Sequence, residues 1–304
     1  MAQSAPSSIK VAIVQYEPQI NQVQANMETV ASMLAHLTQA DGLHILMLSE
    51  MVFTGYCFRD RDEVEPLAEE TSTGPTFEWC QRHATRLHCL VACGYVEKAS
   101  DGNLYNSMMV LSPDGTVVFN YRKTFLYETD KSWATAGSGF GNWYCPWLAQ
   151  QLSFGKLLTI AKVFAQGCRY TLRTCLGICM DINPCDFTAP YESYEFASSV
   201  VTAKSSLVLF SSAWNDFSPL ETNPSPLPTI QYWANRLVPV INTASKSQQH
   251  CYFICANRTG VERGTSFVGG SCIISLNEPS IVVAADRFQA KVLVATLPLG
   301  DTSS

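Results

Sequence analysis

The sequence predicts an α/β fold in which a mixed sheet, or two packed sheets, is covered by helices. Apolar, β-branched runs alternate with amphipathic helical patterns, and several neighbouring runs are joined by hairpin turns instead of helices. Hairpins join antiparallel strands, so a mixed arrangement is favoured over a doubly wound parallel sheet. No linker-like shift in composition or repeat divides the 304 residues. We therefore expect one domain over residues 9–304, after a short disordered leader at residues 1–8.

The first half of the chain predicts βα units followed by hairpins. Residues 21–40 are predicted helical because Val23, Met27, Val30, Leu34 and Leu37 recur at helical spacing. A second helix is predicted at Pro75–Leu87, with proline near its start. Turn sequences at 101–102 and 112–115 predict two hairpins. The predicted strands are Ile9–Tyr16, Ile45–Leu48, His88–Val96, Tyr105–Leu111 and Thr116–Tyr121.

The second half is rich in predicted strands. Two segments, Phe125–Trp147 and Glu221–Pro228, predict loops because they are rich in glycine or proline. Helices are predicted at Tyr191–Lys204 and Thr229–Leu237. Short apolar runs predict the strands Leu157–Phe164, Tyr170–Ile178, Ser206–Phe210, Val238–Thr243, Cys251–Ala256, Cys272–Ser275, Ile281–Ala285 and Lys291–Thr296.

Composition excludes several classes of protein. The chain is 47% hydrophobic and 15% charged, which excludes a disordered chain. Its net charge is −6 and its basic residues are scattered, so we expect no nucleic-acid partner. No apolar run approaches the length of a membrane-spanning helix, and no signal peptide is evident. The twelve cysteines are then expected to be mostly free thiols in a reducing, cytoplasmic compartment.

Three predicted strands run into an ionisable residue where the strand ends, a common position for ligand-contacting residues in α/β proteins. These junctions are Ser49-Glu50, Arg122-Lys123 and Cys179-Met180-Asp181. A cysteine thiolate is a nucleophile, and a neighbouring lysine lowers its pKa. The same ammonium, with the backbone N–H of Met180, suits a developing oxyanion, and Glu50 suits proton transfer. The set predicts acyl transfer from an amide through a thioester.

Two other kinds of site fit the residues less well. A Cys–His pair needs one of the five histidines (36, 44, 83, 88, 250), and His83 and His88 lie near Cys89 without a strand end or glycine-rich turn. The pairs Cys175/Cys179 and Cys251/Cys255 have a zinc-like spacing, but residues four apart in a strand lie about 13 Å apart. We expect no metal and no cofactor. A non-enzymatic, thiol-rich interaction or metal-sensing module is a further alternative.

Five sequence strings, taken together, resemble the nitrilase, or carbon–nitrogen hydrolase, superfamily. They cover nearly the whole chain, from Ile9 to about Leu297, and occur in the family's order. They are LSEMVFTGY at 48–56, LYNSMMVLSPDG at 104–115, NYRKTFLY at 120–127, GICMDINP at 177–184 and ANRTGVERGTSFVGGS at 256–271.

The resemblance implies a fold and a catalytic set. The implied fold is a four-layer α-β-β-α sandwich with mixed sheets. The family's catalytic Glu–Lys–Cys set corresponds to Glu50, Lys123 and Cys179. A second acid, which orients the lysine or the substrate amide, corresponds to Glu128 or Asp130, and the sequence leaves that choice open.

The strings after the lysine and the cysteine are similar to those of the fungal protein N-terminal asparagine amidohydrolases. That branch implies hydrolysis of an N-terminal Asn or Gln side-chain amide of a polypeptide, with release of ammonia, upstream of N-degron degradation. The substrate's α-ammonium then needs a carboxylate, because burying an unpaired charge is costly. Candidates are Asp181, Asp186, Glu192 and Asp216, with Trp214 and Tyr56 as pocket walls.

Other family members imply a different substrate. The alternative is an ω-amidase, carbamoylase or aliphatic amidase that acts on free small-molecule amides. On either reading we expect a monomer or a homodimer.

Overall fold

The structure, a computed structural model, describes residues 8–145, 147–148, 172–247 and 250–299. The predicted strand Leu157–Phe164 and residues 1–7 lie outside these ranges. The strands are β1 Ser8–Gln15, β2 Ile45–Met47, β3 Leu90–Lys98, β4 Leu104–Leu111, β5 Val117–Arg122, β6 Gly141–Tyr144, β7 Arg173–Ile178, β8 Leu207–Ser212, β9 Tyr252–Asn257, β10 Thr259–Glu262, β11 Thr265–Val268, β12 Cys272–Ser275, β13 Ser280–Ala284 and β14 Lys291–Pro298. The α-helices are α1 Val23–Met33, α2 Arg61–Val64, α3 Gly74–Leu87, α4 Glu128–Lys131, α5 Glu195–Thr202, α6 Leu227–Arg236 and α7 Val238–Ser247.

The first sheet has six strands in the order β14-β1-β2-β3-β4-β5. Strands β1, β2 and β3 are parallel because α1 and α3 carry the chain back between them. Strands β3, β4 and β5 form the antiparallel hairpins that the turns at 101–102 and 112–115 predict. Strand β14 pairs antiparallel with β1 across its full length and forms one edge of this sheet.

The second sheet has the order β13-β12-β9-β8-β7-β6. Strands β7, β8 and β9 are parallel, with α5 crossing between β7 and β8, and α6 and α7 between β8 and β9. The outer strands are antiparallel. A separate two-stranded hairpin, β10–β11, follows directly after β9.

The sheets pack face to face. Their inner faces form one apolar core, in which Ile13 and Met47 of the first sheet share a cluster with Ile178 and Leu209 of the second. Helices α1 and α3 cover the outer face of the first sheet. Helices α5, α6 and α7 cover the outer face of the second. The layers are therefore α-β-β-α, which confirms the predicted fold class.

Several local predictions were wrong. Residues 238–243 form a helix and not a strand, because burial of Val240 and Ala244 on one helical face outweighs the β-branched composition. The predicted loop Phe125–Trp147 contains α4 and β6. The hairpin β10–β11 was not predicted, and the first helix ends at Met33 instead of Ala40. Ser8, assigned to the leader, pairs with Pro298 as the first residue of β1.

Within the described ranges, no helix is long and apolar enough to cross a membrane.

Candidate active site

Four strand ends from the two sheets meet at one site. Glu50 follows β2, Lys123 follows β5 directly, Cys179 follows β7 directly, and Ala213 follows β8 directly. The first two belong to one sheet and the last two to the other, so the site lies where the sheets face each other. The structure thus brings together the three residues singled out in the sequence.

Glu50 and Lys123 form a buried ion pair with a third member, Asp130. Lys123 Nζ lies 2.7 Å from Glu50 Oε1 and 2.5 Å from Asp130 Oδ2, and none of these three side chains is exposed to solvent. Asn106 Nδ2 donates to Glu50 Oε1 at 2.7 Å and to Asp130 Oδ1 at 3.1 Å. The backbone N–H of Ala213 donates to Glu50 Oε2 at 2.7 Å. Every oxygen of Glu50 therefore has a donor that fixes its orientation.

The position of Asp130 distinguishes the two candidate second acids. Asp130 lies in α4 and accepts a hydrogen bond of 2.9 Å from the backbone N–H of Tyr127, which turns its carboxylate towards Lys123. Glu128, in the same short helix, is exposed to solvent. Asp130 is thus the acid in contact with Lys123.

Burial and the neighbouring charges shift the pKa values of Glu50 and Lys123. Burial raises the pKa of Glu50, although Lys123 opposes the shift. Burial alone lowers the pKa of Lys123, but the carboxylates of Asp130 and Glu50 outweigh it and hold that pKa well above its ordinary value. Lys123 is therefore an ammonium at neutral pH.

Cys179 occupies a sharp turn at the mouth of β7. Its φ is 41°, in the left-handed region, and it begins the 3-10 turn Cys179–Ile182. The side chain is close to the Ser212 hydroxyl and the Ala213 amide, and the residue is 8% exposed. Burial and the neighbouring Glu50 raise the pKa of the thiol, against the effect of Lys123. The thiol of Cys179 therefore keeps its proton at neutral pH in the ligand-free site.

The carboxylate of Asp181 is buried among hydrogen-bond donors of the protein and does not face the cavity. Its carboxylate accepts hydrogen bonds from Tyr121 Oη (2.7 Å) and from the backbone N–H groups of Thr124, Phe125 and Ile178 (3.0, 2.8 and 2.8 Å). Burial still raises the pKa of Asp181 to about 6. Asp181 ties the Lys123 loop to the Cys179 turn, and it does not line the cavity described next.

A cavity of about 530 Å³ opens from Cys179 to solvent. Tyr56, Trp214, Asp216 and Met180, all predicted from the sequence, are among its lining residues. Other lining residues are Tyr127, Asn183, Phe187, Asn215, Glu221, Tyr232 and Arg287. Three of the acids proposed for the α-ammonium are absent from the lining. Asp181 is buried elsewhere, Glu192 is exposed, and Asp186 pairs with Lys131 at the surface (2.6 Å).

Sequence reasoning gave no role to three parts of the site. Asn106 lies in a string quoted for the family resemblance, and a buried polar residue inside an apolar strand was the available signal. Glu262, paired with Arg258 at 2.6 Å, accepts from the Tyr56 backbone N–H at 2.8 Å and so fixes that wall of the cavity. Nothing in the sequence pointed to Arg287. Among the described residues, no group of three or more His, Cys, Asp or Glu side chains is arranged to hold a metal ion.

Sequence comparison finds relatives in yeasts. The chain is 29% identical over 289 residues to a protein N-terminal amidase of Schizosaccharomyces pombe, covering 89% of this chain and 92% of that protein. It is 33% identical over 210 residues to the protein N-terminal amidase of Saccharomyces cerevisiae. That second match covers 68% of this chain and 45% of the relative, so it spans less than half of the longer protein.

Structure comparison gives the same fold over nearly the whole chain. A crystal structure of an N-terminal amidase with an Asn-Glu-Ala peptide superposes with a TM-score of 0.78 at 20% identity, covering 96% of this chain and 98% of that one. The model of the carbon-nitrogen hydrolase family matches residues 10–160 and 225–304. These matches confirm the resemblance seen in the sequence strings, and the chain belongs to the carbon-nitrogen hydrolase family of enzymes.

Proposed function

We propose that the protein hydrolyses the side-chain amide of an N-terminal Asn or Gln of a polypeptide, and releases ammonia. The observation that carries the chemistry is the position of Cys179 at an open cavity beside the buried Glu50–Lys123–Asp130 cluster. The yeast relatives named protein N-terminal amidase support the choice of substrate.

The first half of the reaction forms a thioester. Glu50 takes the thiol proton, and the Cys179 sulfur attacks the amide carbon. This transfer keeps the cluster's net charge constant, whereas losing the proton to water adds a second uncompensated negative charge to a buried site. Lys123 and the Met180 backbone N–H stabilise the oxyanion. The protonated Glu50 then gives its proton to the leaving nitrogen, which departs as ammonia when the C–N bond breaks.

The second half hydrolyses the thioester. Water enters the position that ammonia has left, and Glu50 removes its proton as the oxygen attacks the acyl carbon. The C–S bond breaks, Glu50 returns the proton to the sulfur, and the carboxylic acid that replaces the amide loses its remaining proton to solvent. Asp130 keeps Lys123 charged and in place, and does not exchange protons in this scheme.

The charge of the cavity favours a substrate with a free amine. Three charged residues line it in the described part of the chain: Asp216, Glu221 and Arg287. Glu221 is exposed, so solvent screens its charge, and the buried acceptor for an amine is the carboxylate of Asp216. A free ω-amide acid carries a carboxylate and meets no uncompensated cation there, because Arg287 is paired with Asp216. This argues against the small-molecule amidase alternative.

The product of such a reaction begins with Asp or Glu. We propose that these acidic N-termini feed the N-degron degradation pathway, and that the protein works in the cytoplasm as a monomer or homodimer.

The decisive test is ammonia release from Asn-Gly and Gln-Gly peptides. Their N-acetylated forms, free asparagine, free glutamine and succinamate are assayed in parallel, with Cys179→Ser as the blank and Cys57→Ser as a cysteine control. We expect release from the free-amine peptides, loss on acetylation, and activity in Cys57→Ser but not in Cys179→Ser. Release from the small amides alone assigns the protein to the other substrate class.

A further inference from the structure

The cavity wall contains a buried ion pair that the thioester chemistry leaves unused. Arg287 Nη2 lies 2.5 Å from Asp216 Oδ2, and the two side chains are 6% and 7% exposed. Both residues line the cavity that Cys179 lines. A buried ion pair is costly to maintain and weak evidence for stability alone, so its position in a binding cavity calls for a functional explanation.

Arg287 holds one loop of the cavity wall in a single shape. Its Nη1 atom donates to the carbonyls of Glu221 (3.3 Å) and Asn223 (3.1 Å), and its Nη2 atom donates to that of Ser218 (3.1 Å). Its backbone N–H donates to the Pro224 carbonyl at 3.1 Å. The terminal N–H groups of the guanidinium thus donate to Asp216 and to the loop, and none of them is available to a substrate carboxylate.

Asp216 is held as firmly as its partner. Its Oδ1 atom accepts from the Ser218 backbone N–H at 2.9 Å, and its own N–H donates to the Ser266 carbonyl at 2.7 Å. An ionised carboxylate accepts about four hydrogen bonds, so two of its lone pairs are still available. The other acid of the lining, Glu221, is exposed, so solvent screens its charge.

Asp216 also lies at a suitable distance along the chain from the chemistry. It follows Ala213 by three residues, which places the two within about 11 Å of each other. The backbone N–H of Ala213 donates to Glu50 Oε2 at 2.7 Å and lies close to the Cys179 thiol. Cys179 and Asp216 line the same cavity, and in an N-terminal Asn the α-nitrogen is three bonds from the carbon of the side-chain amide.

We propose that Asp216 binds the α-ammonium of the substrate and that Arg287 is the positioning residue that makes this selection possible. The proposal rests on the proposed function and adds the residues that set substrate class. Asp216 attracts the N-terminal ammonium. Arg287 orients Asp216, and because its terminal N–H groups already donate to Asp216 and to the loop carbonyls, a substrate carboxylate cannot form a bidentate pair with them.

The test compares two substrates in matched variants. Asp216→Asn keeps the shape, removes the acceptor for the ammonium and leaves the Arg287 cation unpaired in the cavity. Glu221→Gln removes the same charge from the same lining without touching Arg287. For each protein, kcat and KM are measured for an Asn-Gly peptide and for succinamate, and Cys179 alkylation by neutral iodoacetamide reports the state of the nucleophile.

In Asp216→Asn we expect the ratio of kcat/KM for peptide over succinamate to fall about 100-fold, mainly through the peptide KM. Alkylation of Cys179 keeps the wild-type rate. In Glu221→Gln the ratio changes less than about threefold, because an exposed charge contributes little. Arg287→Gln raises the peptide KM, and Arg287→Lys recovers part of that loss.

An unchanged ratio in Asp216→Asn overturns the proposal, as does an equal fall in Glu221→Gln. A loss of alkylation that matches the loss of hydrolysis also overturns it, since the pair then supports only the fold. If Asp216→Asn does not fold, Asp216→Glu keeps the charge on a longer side chain and must raise the peptide KM while retaining the preference for free amines. A wild-type protein that releases ammonia from succinamate but from no peptide instead contradicts the proposed function itself.

Discussion

Asn106 donates a hydrogen bond of 2.7 Å to Oε1 of Glu50, the oxygen atom that also contacts Lys123 at 2.7 Å. The same amide nitrogen lies 3.1 Å from Asp130 Oδ1. One neutral side chain therefore donates to both carboxylates that flank the lysine. Hydrogen bonds to a carboxylate favour its charged form, so Asn106 favours ionised Glu50 against the effect of burial.

Asn106→Leu removes that donor. We expect the pKa of Glu50 to rise further, and since the scheme needs ionised Glu50, the acidic limb of the kcat/KM profile moves to higher pH. The loss of activity is then larger at pH 6 than at pH 8. Asn120→Leu is the matched control, because Asn120 donates similarly to Glu97 (2.9 Å), outside the Glu50–Lys123–Asp130 cluster. An acidic limb at its wild-type position contradicts this role.

Removing Lys123 is expected to damage the fold as well as the reaction. Lys123→Met leaves Glu50 and Asp130 buried without their cation, which costs about 3–5 kcal/mol of unfolding free energy. Lys123→Met combined with Asp130→Asn removes one of the two repelling charges, so part of this stability returns while ammonia release stays absent. Urea unfolding and the ammonia assay separate the two effects. Turnover by the double variant rules out Lys123 as the oxyanion partner.

Gly94 in β3 is in contact with the backbone of Glu50. A Cβ atom at this position would lie 2.6 Å from the Ser49 carbonyl oxygen and 2.7 Å from Glu50 Cα, so the backbone of these residues would have to shift. Gly94→Ala is therefore expected to displace Glu50 and lower kcat more than tenfold. Gly102→Ala is the control, since no atom lies within 4 Å of its added methyl group and the strain of alanine at its φ of 81° is confined to an exposed hairpin turn. Equal kcat values in the two variants count against the contact.

Asp181 predicts a pH dependence of stability. Burial raises its pKa from 3.8 to about 6 in the folded state, so the folded protein binds this proton more tightly than the unfolded chain does. The stabilisation is fully present below about pH 3.8 and is lost as the pH rises through about 6.

The measurement is the difference in unfolding free energy between the wild type and Asp181→Asn. We expect this difference to grow in favour of the wild type by about 2 kcal/mol as the pH falls from 7 to 4.5. Asp186→Asn, at the exposed surface pair with Lys131, is the control and changes little. A difference that is constant with pH contradicts a raised pKa at Asp181.

The sequence was most informative where a local pattern determines the structure. Each of the predicted catalytic residues follows an apolar strand, and parallel strands that end together bring such residues together. The sequence was least informative where the direction of a side chain depends on the conformation of a loop. Glu128 and Asp130 are two residues apart, and only the start of helix α4 decides which one turns towards Lys123.

Long-range pairing explains the other failures. Arg287 meets Asp216 across 71 residues of sequence, and no local pattern encodes such a contact. The strand predicted at Val238–Thr243 became a helix because packing against the second sheet decided its structure. Intrinsic propensity is a weak guide wherever tertiary burial has the larger effect.

The two sheets each hold half of the site. Glu50 and Lys123 follow strands of the first sheet, while Cys179 and Ala213 follow strands of the second, and an apolar core lies between the two sheets. Either sheet alone carries a base and a cation without a nucleophile, or a nucleophile without a base. During refolding, the rate at which turnover returns therefore reports the docking of the two sheets. The rate at which the circular dichroism signal returns reports the formation of the sheets. A core substitution such as Leu209→Ala should delay the first of these signals more than the second.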